Sequence, residues 1–211
     1  IVRDFGADTM RLYEMFMGPL EVSKPWATAG LVGVSRFLER LWALSEKSLT
    51  DSAPSMELAK LLHKTIKKVT DDTATLNFNT AISAMMILSN ELAKLETLPR
   101  ETWEIFIRLS APYAAHLAEE LWEKAGKAPS VGLAPWPIYD EALVRDETAV
   151  IVVQVNGKVR DKFEVPSGTD KAELERLALA REKAREWIAG KPLRKVVIVP
   201  DKLVNIVVGE G

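Results

Sequence analysis

Four lysines, Lys60, Lys64, Lys67 and Lys68, recur at a spacing that places them on one side of a helix. A row of cations at such intervals can follow a phosphate backbone and gains free energy by releasing counterions. The same row also makes an ordinary solvated helix face, and the residues leave both readings open. A second cationic cluster, Lys158, Arg160 and Lys162 with Arg194 and Lys195, gathers around a protruding turn and offers the same chemistry.

Bond-making chemistry is poorly supplied. The sequence holds no glycine-rich phosphate loop, HExxH, nucleophile elbow or paired metal-ligand cluster. The absence of cysteine removes disulfides, thiolate catalysis and cysteine-based zinc sites, and fits a reducing compartment. The two histidines, His63 and His116, are far apart and read as structural or surface residues. The carboxylate pairs Glu119-Glu120 and Asp71-Asp72 fit a solvated helix face and a helix-end turn. No catalytic residue, metal ligand or cofactor is expected in this chain.

The net charge of −2 conceals a division. From residue 148 onward 12 Lys and Arg face 9 Asp and Glu, whereas the preceding part has 16 against 21, so the tail is mildly basic. No apolar run approaches the ~20 residues a bilayer crossing needs, and no charged-then-apolar leader opens the chain. A soluble, cytoplasmic protein is expected.

The elements that must position these cations read as α+β: mainly a helical bundle, then a small β-β-α-β-β domain. Apolar residues recur at helical spacing up to about Gly126. A short helix over residues 7–16 stops before Gly18-Pro19. A long one near residues 26–48 carries Leu31, Val34, Phe37, Leu38, Leu41, Trp42 and Leu44 on its buried stripe. The lysine-bearing helix, residues 56–70, buries Leu58, Leu62, Thr65, Ile66 and Val69 on the side opposite its cations. Further helices are predicted over 79–95, 101–110 and 112–125, the last opening at Pro112 and closing at Gly126.

Residues 127–148 read as a linker, broken by Pro129, Gly132, Pro135 and Pro137 and pinned by Trp136 and Tyr139. Beyond it, β-branched residues flank Asn156-Gly157, a hairpin turn in which both positions need positive φ. A simple two-residue turn sets Arg160 opposite Val153 and Lys162 opposite Ile151. Because strand 150–155 is apolar on both faces, that outer face is either a contact surface or is covered by the lysine and arginine stems. A helix follows from Asp170, with Glu173 at the reciprocal position of a capping box. It presents Leu174, Leu177, Ala178, Ala184 and Ile188 and ends before Gly190. Strands 195–199 and 203–208 flank Pro200-Asp201.

Five segments carry a family resemblance: FGADTMRLYEMFMGPLEVSKPW, LNFNTAISAMMILSNEL, SAPYAAHLAEELWEKAG, VVQVNGKVRDKFEVP and GKPLRKVVIVPDKLVNIVV. In order and over nearly the whole chain they resemble the bacterial leucyl-tRNA synthetases. Isoleucyl and valyl relatives share the bundle but not this tail. The resemblance implies a connecting segment after a catalytic domain (1–25), a class Ia anticodon-binding bundle (26–126), the linker, and a tRNA-binding C-terminal domain (149–211). It implies leucine tRNA as partner, the catalytic domain of the same parent chain as neighbour, a monomer, and ATP and magnesium for the parent enzyme. The family's HIGH and KMSKS signatures are absent, and the beginning at Ile1-Val2 in mid-pattern suggests a start downstream of both. Matching positions place Arg36, Arg40, Lys64, Lys67 and Lys68 near the tRNA stem, and Lys158, Arg160, Lys162, Arg194 and Lys195 near its elbow.

Overall fold

The structure, a computed structural model, describes residues 1–128, 130–145 and 148–209. Pro129 of the expected linker lies outside the described residues, as do residues 146–147 and 210–211. The chain divides into two compact units, Ile1–Val144 and Arg145–Gly211.

The first unit is helical. A single turn α1 (Val2–Phe5) and helix α2 (Ala7–Phe16) precede the long α3 (Thr28–Ser45), which buries Leu31, Val34, Phe37, Leu41 and Leu44. Trp42, predicted on that stripe, is exposed instead, with the Lys124 ammonium 4.6 Å from its ring centroid. It stands at the margin of the apolar face, one residue past Leu41, where the 100° step per residue already turns it outward.

After a two-residue strand β1 (Leu49–Thr50), α4 (Met56–Ala74) starts at Ser55, whose Oγ accepts the Leu58 N–H at 3.2 Å. The next helix, α5 (Phe78–Ala93), leads to β2 (Leu98–Pro99), which pairs in parallel with β1. Helix α6 (Arg100–Ser110) buries residues on nearly every side, including Trp103 and Phe106, as a helix surrounded by others must. Helix α7 (Ala115–Lys124) does not open at Pro112 as predicted. That proline lies in the turn between α6 and α7, where the Tyr113 N–H returns to Ser110 O at 3.0 Å. Gly126 closes α7 at φ +79°, letting Lys127 N–H reach Trp122 O at 3.2 Å.

Residues 130–144 fold back onto this unit. Val131 N–H donates to Glu119 Oε2 at 3.0 Å, Arg108 to Pro135 O at 3.0 Å, and Trp136 Nε1–H to Thr70 Oγ1 at 2.8 Å. A final turn, α8 (Glu141–Val144), packs on α4.

The second unit is a four-stranded sheet under two helices. Strand β3 (Thr148–Val155) turns through Asn156 and Gly157, both at positive φ, into β4 (Lys158–Pro166). Helices α9 (Lys171–Ala180) and α10 (Glu182–Ile188) follow, then β5 (Leu193–Val199) and β6 (Leu203–Val208). The single predicted helix is thus two, broken where Arg181 takes extended backbone at φ −65°, ψ 126°. Strand order is β4-β3-β6-β5, with β3 and β6 parallel. Asp170 Oδ1 caps α9 through Glu173 N–H at 3.0 Å, but the Glu173 carboxylate turns to Arg176, so the reciprocal half of the capping box is not made.

The core of this unit sets Ile151, Val153, Val155, Val204 and Ile206 against Leu174, Ala178 and Ala184. Strand β3 therefore has one buried face and one open face, on which Val150 is 52% exposed. A bulge corrects the predicted register. Val153 pairs with Asp161 and Gln154 with Val159, leaving Arg160 as the extra residue. Lys162 consequently stands opposite Val152 rather than Ile151, and Arg160 has no partner across β3.

Candidate nucleic-acid interface

Helix α4 brings its lysines to one side, as their spacing requires, but their charge is largely answered within the protein. Lys67 donates to Asp71 at 2.6 Å and Lys68 to Asp72 at 2.8 Å, both one turn further along α4. The hydrogen bond it donates to Asp71 raises the Lys67 pKa above its ordinary value. Its ammonium also lies 5.3 Å from the centroid of the Tyr139 ring. Lys60 and Lys64 are partnered too. Asp72, expected in a solvated helix-end turn, is buried and accepts Thr80 Oγ1–H as well.

The two arginines of α3 differ. Arg40 bonds to Asn90 Oδ1 and Ser89 Oγ, tying α3 to α5. Arg36 is exposed and has no ion pair among the described residues. Both histidines hold the chain together: His63 Nδ1 accepts the Asp140 N–H at 2.8 Å, and His116 Nδ1 lies 2.8 Å from Asp8 Oδ1. Asp8 Oδ2 also accepts the N–H of Leu117, joining α2 to the first turn of α7. Glu119, expected on a solvated face, anchors residues 130–131, and bonds from Ser130 and the Val131 and Gly132 N–H groups hold its pKa below the usual carboxylate value.

The tail cations fall on opposite edges of the sheet, Lys158 at the same end as Arg194 and Lys195, and Lys162 further along, level with Leu203 and Val199. Lys158, Arg160 and Lys162 belong to edge strand β4, and Arg194 and Lys195 to edge strand β5, with β3 and β6 between. Three inter-strand spacings, about 14 Å, separate the two groups, so the single cluster around one turn becomes two. Lys158, Lys162, Arg194 and Lys195 are exposed. Lys162 and Lys195 share the open face with Val150, Val152, Leu203 and Val207, as the pairing register requires. Arg160 points elsewhere: the bulge aims it toward the helices, and its guanidinium carbon lies 3.3 Å from the Trp187 ring centroid. Trp187 was not singled out from the sequence, where a tryptophan near the end of an amphipathic helix gives no sign of exposure.

Among the described residues no group of three or more His, Cys, Asp or Glu is placed to hold a metal ion, and no helix is long and apolar enough to cross a membrane. What the surface offers is exposed cations on α3 and on both edges of a sheet, with an accessible indole at one of those edges. Such a surface suits phosphate contact and ring stacking rather than bond making.

Residues 56–176 match the family described as the anticodon-binding domain of tRNA ligase. The leucine–tRNA ligase of Borreliella afzelii (strain PKo) is 50% identical over 209 residues, which is 99% of this chain and 25% of that protein. Its counterpart in Borreliella burgdorferi (strain ZS7) is 49% identical over 209 residues, with the same coverage of 99% and 25%. The crystal structure of the ternary complex of Agrobacterium radiobacter K84 agnB2 LeuRS, tRNA and LeuAMS is similar at a TM-score of 0.76 and 30% identity, covering 99% of this chain and 30% of that one. The chain spans about a quarter of the length of the curated relatives it matches.

Proposed function

The chain belongs to the family of anticodon-binding domains of tRNA ligases, and from that premise we propose that it is the tRNA-gripping part of a leucine–tRNA ligase. The observation that carries the reading is 50% identity to such a ligase over 99% of the chain. It is supported by likeness to a LeuRS solved together with tRNA. On this reading the first unit is the class Ia anticodon-binding bundle and the second the small C-terminal domain of the bacterial enzymes. Leucine activation with ATP and magnesium, and transfer to the tRNA, belong to the rest of such an enzyme, a monomer in the cytoplasm. This part holds and orients leucine tRNA for chemistry performed elsewhere.

The test is binding of the chain to a leucine tRNA transcript across a salt titration. Affinity should fall steeply as salt rises, because phosphate contact releases counterions. Undetectable affinity, or affinity indifferent to salt, removes the reading. The contacts are weak when taken alone and gain from joint action with the rest of the enzyme, so the titration starts at low ionic strength.

The internal ion pairs of Lys67 and Lys68 favour a second reading for α4 alone, in which it braces the bundle without touching RNA. Charge reversal at Lys64 and Lys67 in the full-length enzyme separates the two. Weakened tRNA affinity with intact leucine activation assigns α4 to RNA, and unchanged aminoacylation assigns it to bracing.

A further inference from the structure

Helix α10 carries an aromatic ring that its packing does not require. Ala184 is fully buried and Ile188 packs on the same core, so these two supply the side turned to the sheet. Trp187 between them is 44% exposed. One face of its indole lies against the Arg160 guanidinium at 3.3 Å. Among the described residues Arg160 has no carboxylate partner, and its Nε is buried without a hydrogen bond. Stacking on the ring, rather than ion pairing, therefore sets the position of this arginine.

An indole stacked on one face and still 44% exposed leaves ring surface open to a second contact. The guanidinium behind it, fixed by the β4 bulge, restrains the ring before any ligand arrives, so little side-chain freedom remains to be lost on binding. Lys183 stands one turn earlier on the same side of α10; its ammonium is 3.9 Å from Asp161 Oδ1, a carboxylate already bonded to Arg181, and its side chain is 70% exposed, so it can turn to a phosphate without leaving Asp161 unpaired. A cation behind the ring and another beside it disfavour a cationic protein side chain and favour a ligand that brings phosphate.

Resting on the tRNA-binding reading above, we propose that Trp187, braced by Arg160, is a stacking platform for an unpaired RNA base, with Lys183 meeting the adjoining phosphate. Every base has a flat π-face, so such a platform tolerates sequence but requires a base free of its own stack.

The experiment compares the wild-type chain with Trp187→Ala and Trp187→Phe, using two probes: a leucine tRNA transcript and a blunt, fully paired RNA duplex. Trp187→Ala should weaken tRNA binding about 5- to 160-fold, the range for loss of one base–aromatic stack. The slope of affinity against salt should not change, because no charge is removed. Trp187→Phe should recover most of the loss, and duplex binding should be indifferent to either variant. Equal losses for tRNA and duplex, or a changed salt slope, make Trp187 a structural residue and overturn the proposal. Unchanged tRNA affinity in both variants assigns the indole to a protein contact and overturns it while leaving the tRNA-binding reading intact. No tRNA binding by the wild-type chain removes both. Thermal unfolding of each variant confirms that it is folded before binding is read.

Discussion

Arg181, in the break between α9 and α10, donates its Nε–H to Asp161 Oδ2 at 2.6 Å. Asp161 is buried and comes from β4, so this bond fastens the helical layer to the edge of the sheet. The bond from Arg181, supported by the Lys162 N–H and the nearby charge of Lys183, holds the Asp161 pKa below its usual value against the opposing effect of burial. A carboxylate whose pKa is depressed by folding stabilises the fold above its unfolded pKa, near 4, and that stability is lost as pH falls through the folded value. Arg181→Ala should lower the unfolding midpoint of the second unit by about 5 °C at neutral pH. It should also flatten the decline below about pH 4. Hydrogen exchange of the β3 and β4 amides as a function of pH is the measurement, and an unaltered acid limb counts against the bond.

Tyr113 gives the opposite dependence in the first unit. Its hydroxyl and Thr73 Oγ1 are 2.6 Å apart, and the ring meets Phe78 edge-on at a centroid distance of 5.9 Å. Burial pushes the phenol pKa up, the bond to Thr73 opposes the rise, and the charge of Asp72 adds to it. The folded state then keeps its proton where the unfolded chain releases one, so stability should decline as pH rises past about 10. Tyr113→Phe keeps the ring packing and should cost about 1 kcal/mol at neutral pH, while removing that part of the alkaline decline. Urea unfolding at several pH values tests both.

The parts legible in the sequence are those decided locally. Leu58, Leu62, Ile66 and Val69 declare the buried side of α4 through their period, and Asn156-Gly157 declares its turn because few residues tolerate positive φ at two successive positions. The ion pairs Lys67–Asp71 and Lys68–Asp72 were also written in four-residue spacing, although the lysines alone drew attention to that face. The bulge at Arg160 has no local mark, since it is a matter of pairing between two strands, and it moves Lys162 by one pairing position. The helix break at Arg181 carries neither glycine nor proline. The contact of Arg160 with Trp187 depends on both irregularities, so neither residue's spacing announces it.

Lys47 offers a test of packing between distant segments. Its ammonium donates to the carbonyls of Leu92 and Ala93, at 3.4 and 2.7 Å, and to that of Leu95. Leu92 and Ala93 close α5 and Leu95 follows it; Leu92 O already accepts the Leu95 N–H at 3.2 Å, so the ammonium gathers the carbonyls of this turn and meets the negative end of the helix dipole. Lys47→Met retains the aliphatic stem and should cost about 1–2 kcal/mol. Lys94→Met, on an exposed lysine whose ion pair among the described residues is with Glu91, should leave the denaturant midpoint unchanged. Equal effects would mean that general charge, not the bonds to α5, carries the stabilisation.

The cations named for tRNA contact should separate by what each already holds. Arg36, Lys158, Lys162 and Lys195 are exposed and have no ion pair among the described residues, so a phosphate meets each without displacing a carboxylate. Lys68 must share its charge with the buried Asp72. Arg40 is occupied in joining α3 to α5. Substituting glutamine at Arg36, Lys158, Lys162 or Lys195 should reduce the slope of log affinity for leucine tRNA against log salt by roughly 0.7–0.9 for each residue that meets a phosphate. Arg40→Gln should leave the slope nearly unchanged and lower thermal stability instead. The double variant Lys158→Gln with Lys195→Gln is the most informative, because these residues stand on opposite edges at the same end of the sheet. If one RNA strand crosses that end, both reductions appear and add. If only one edge meets RNA, the double variant matches one single variant, and the salt slope identifies which edge it is.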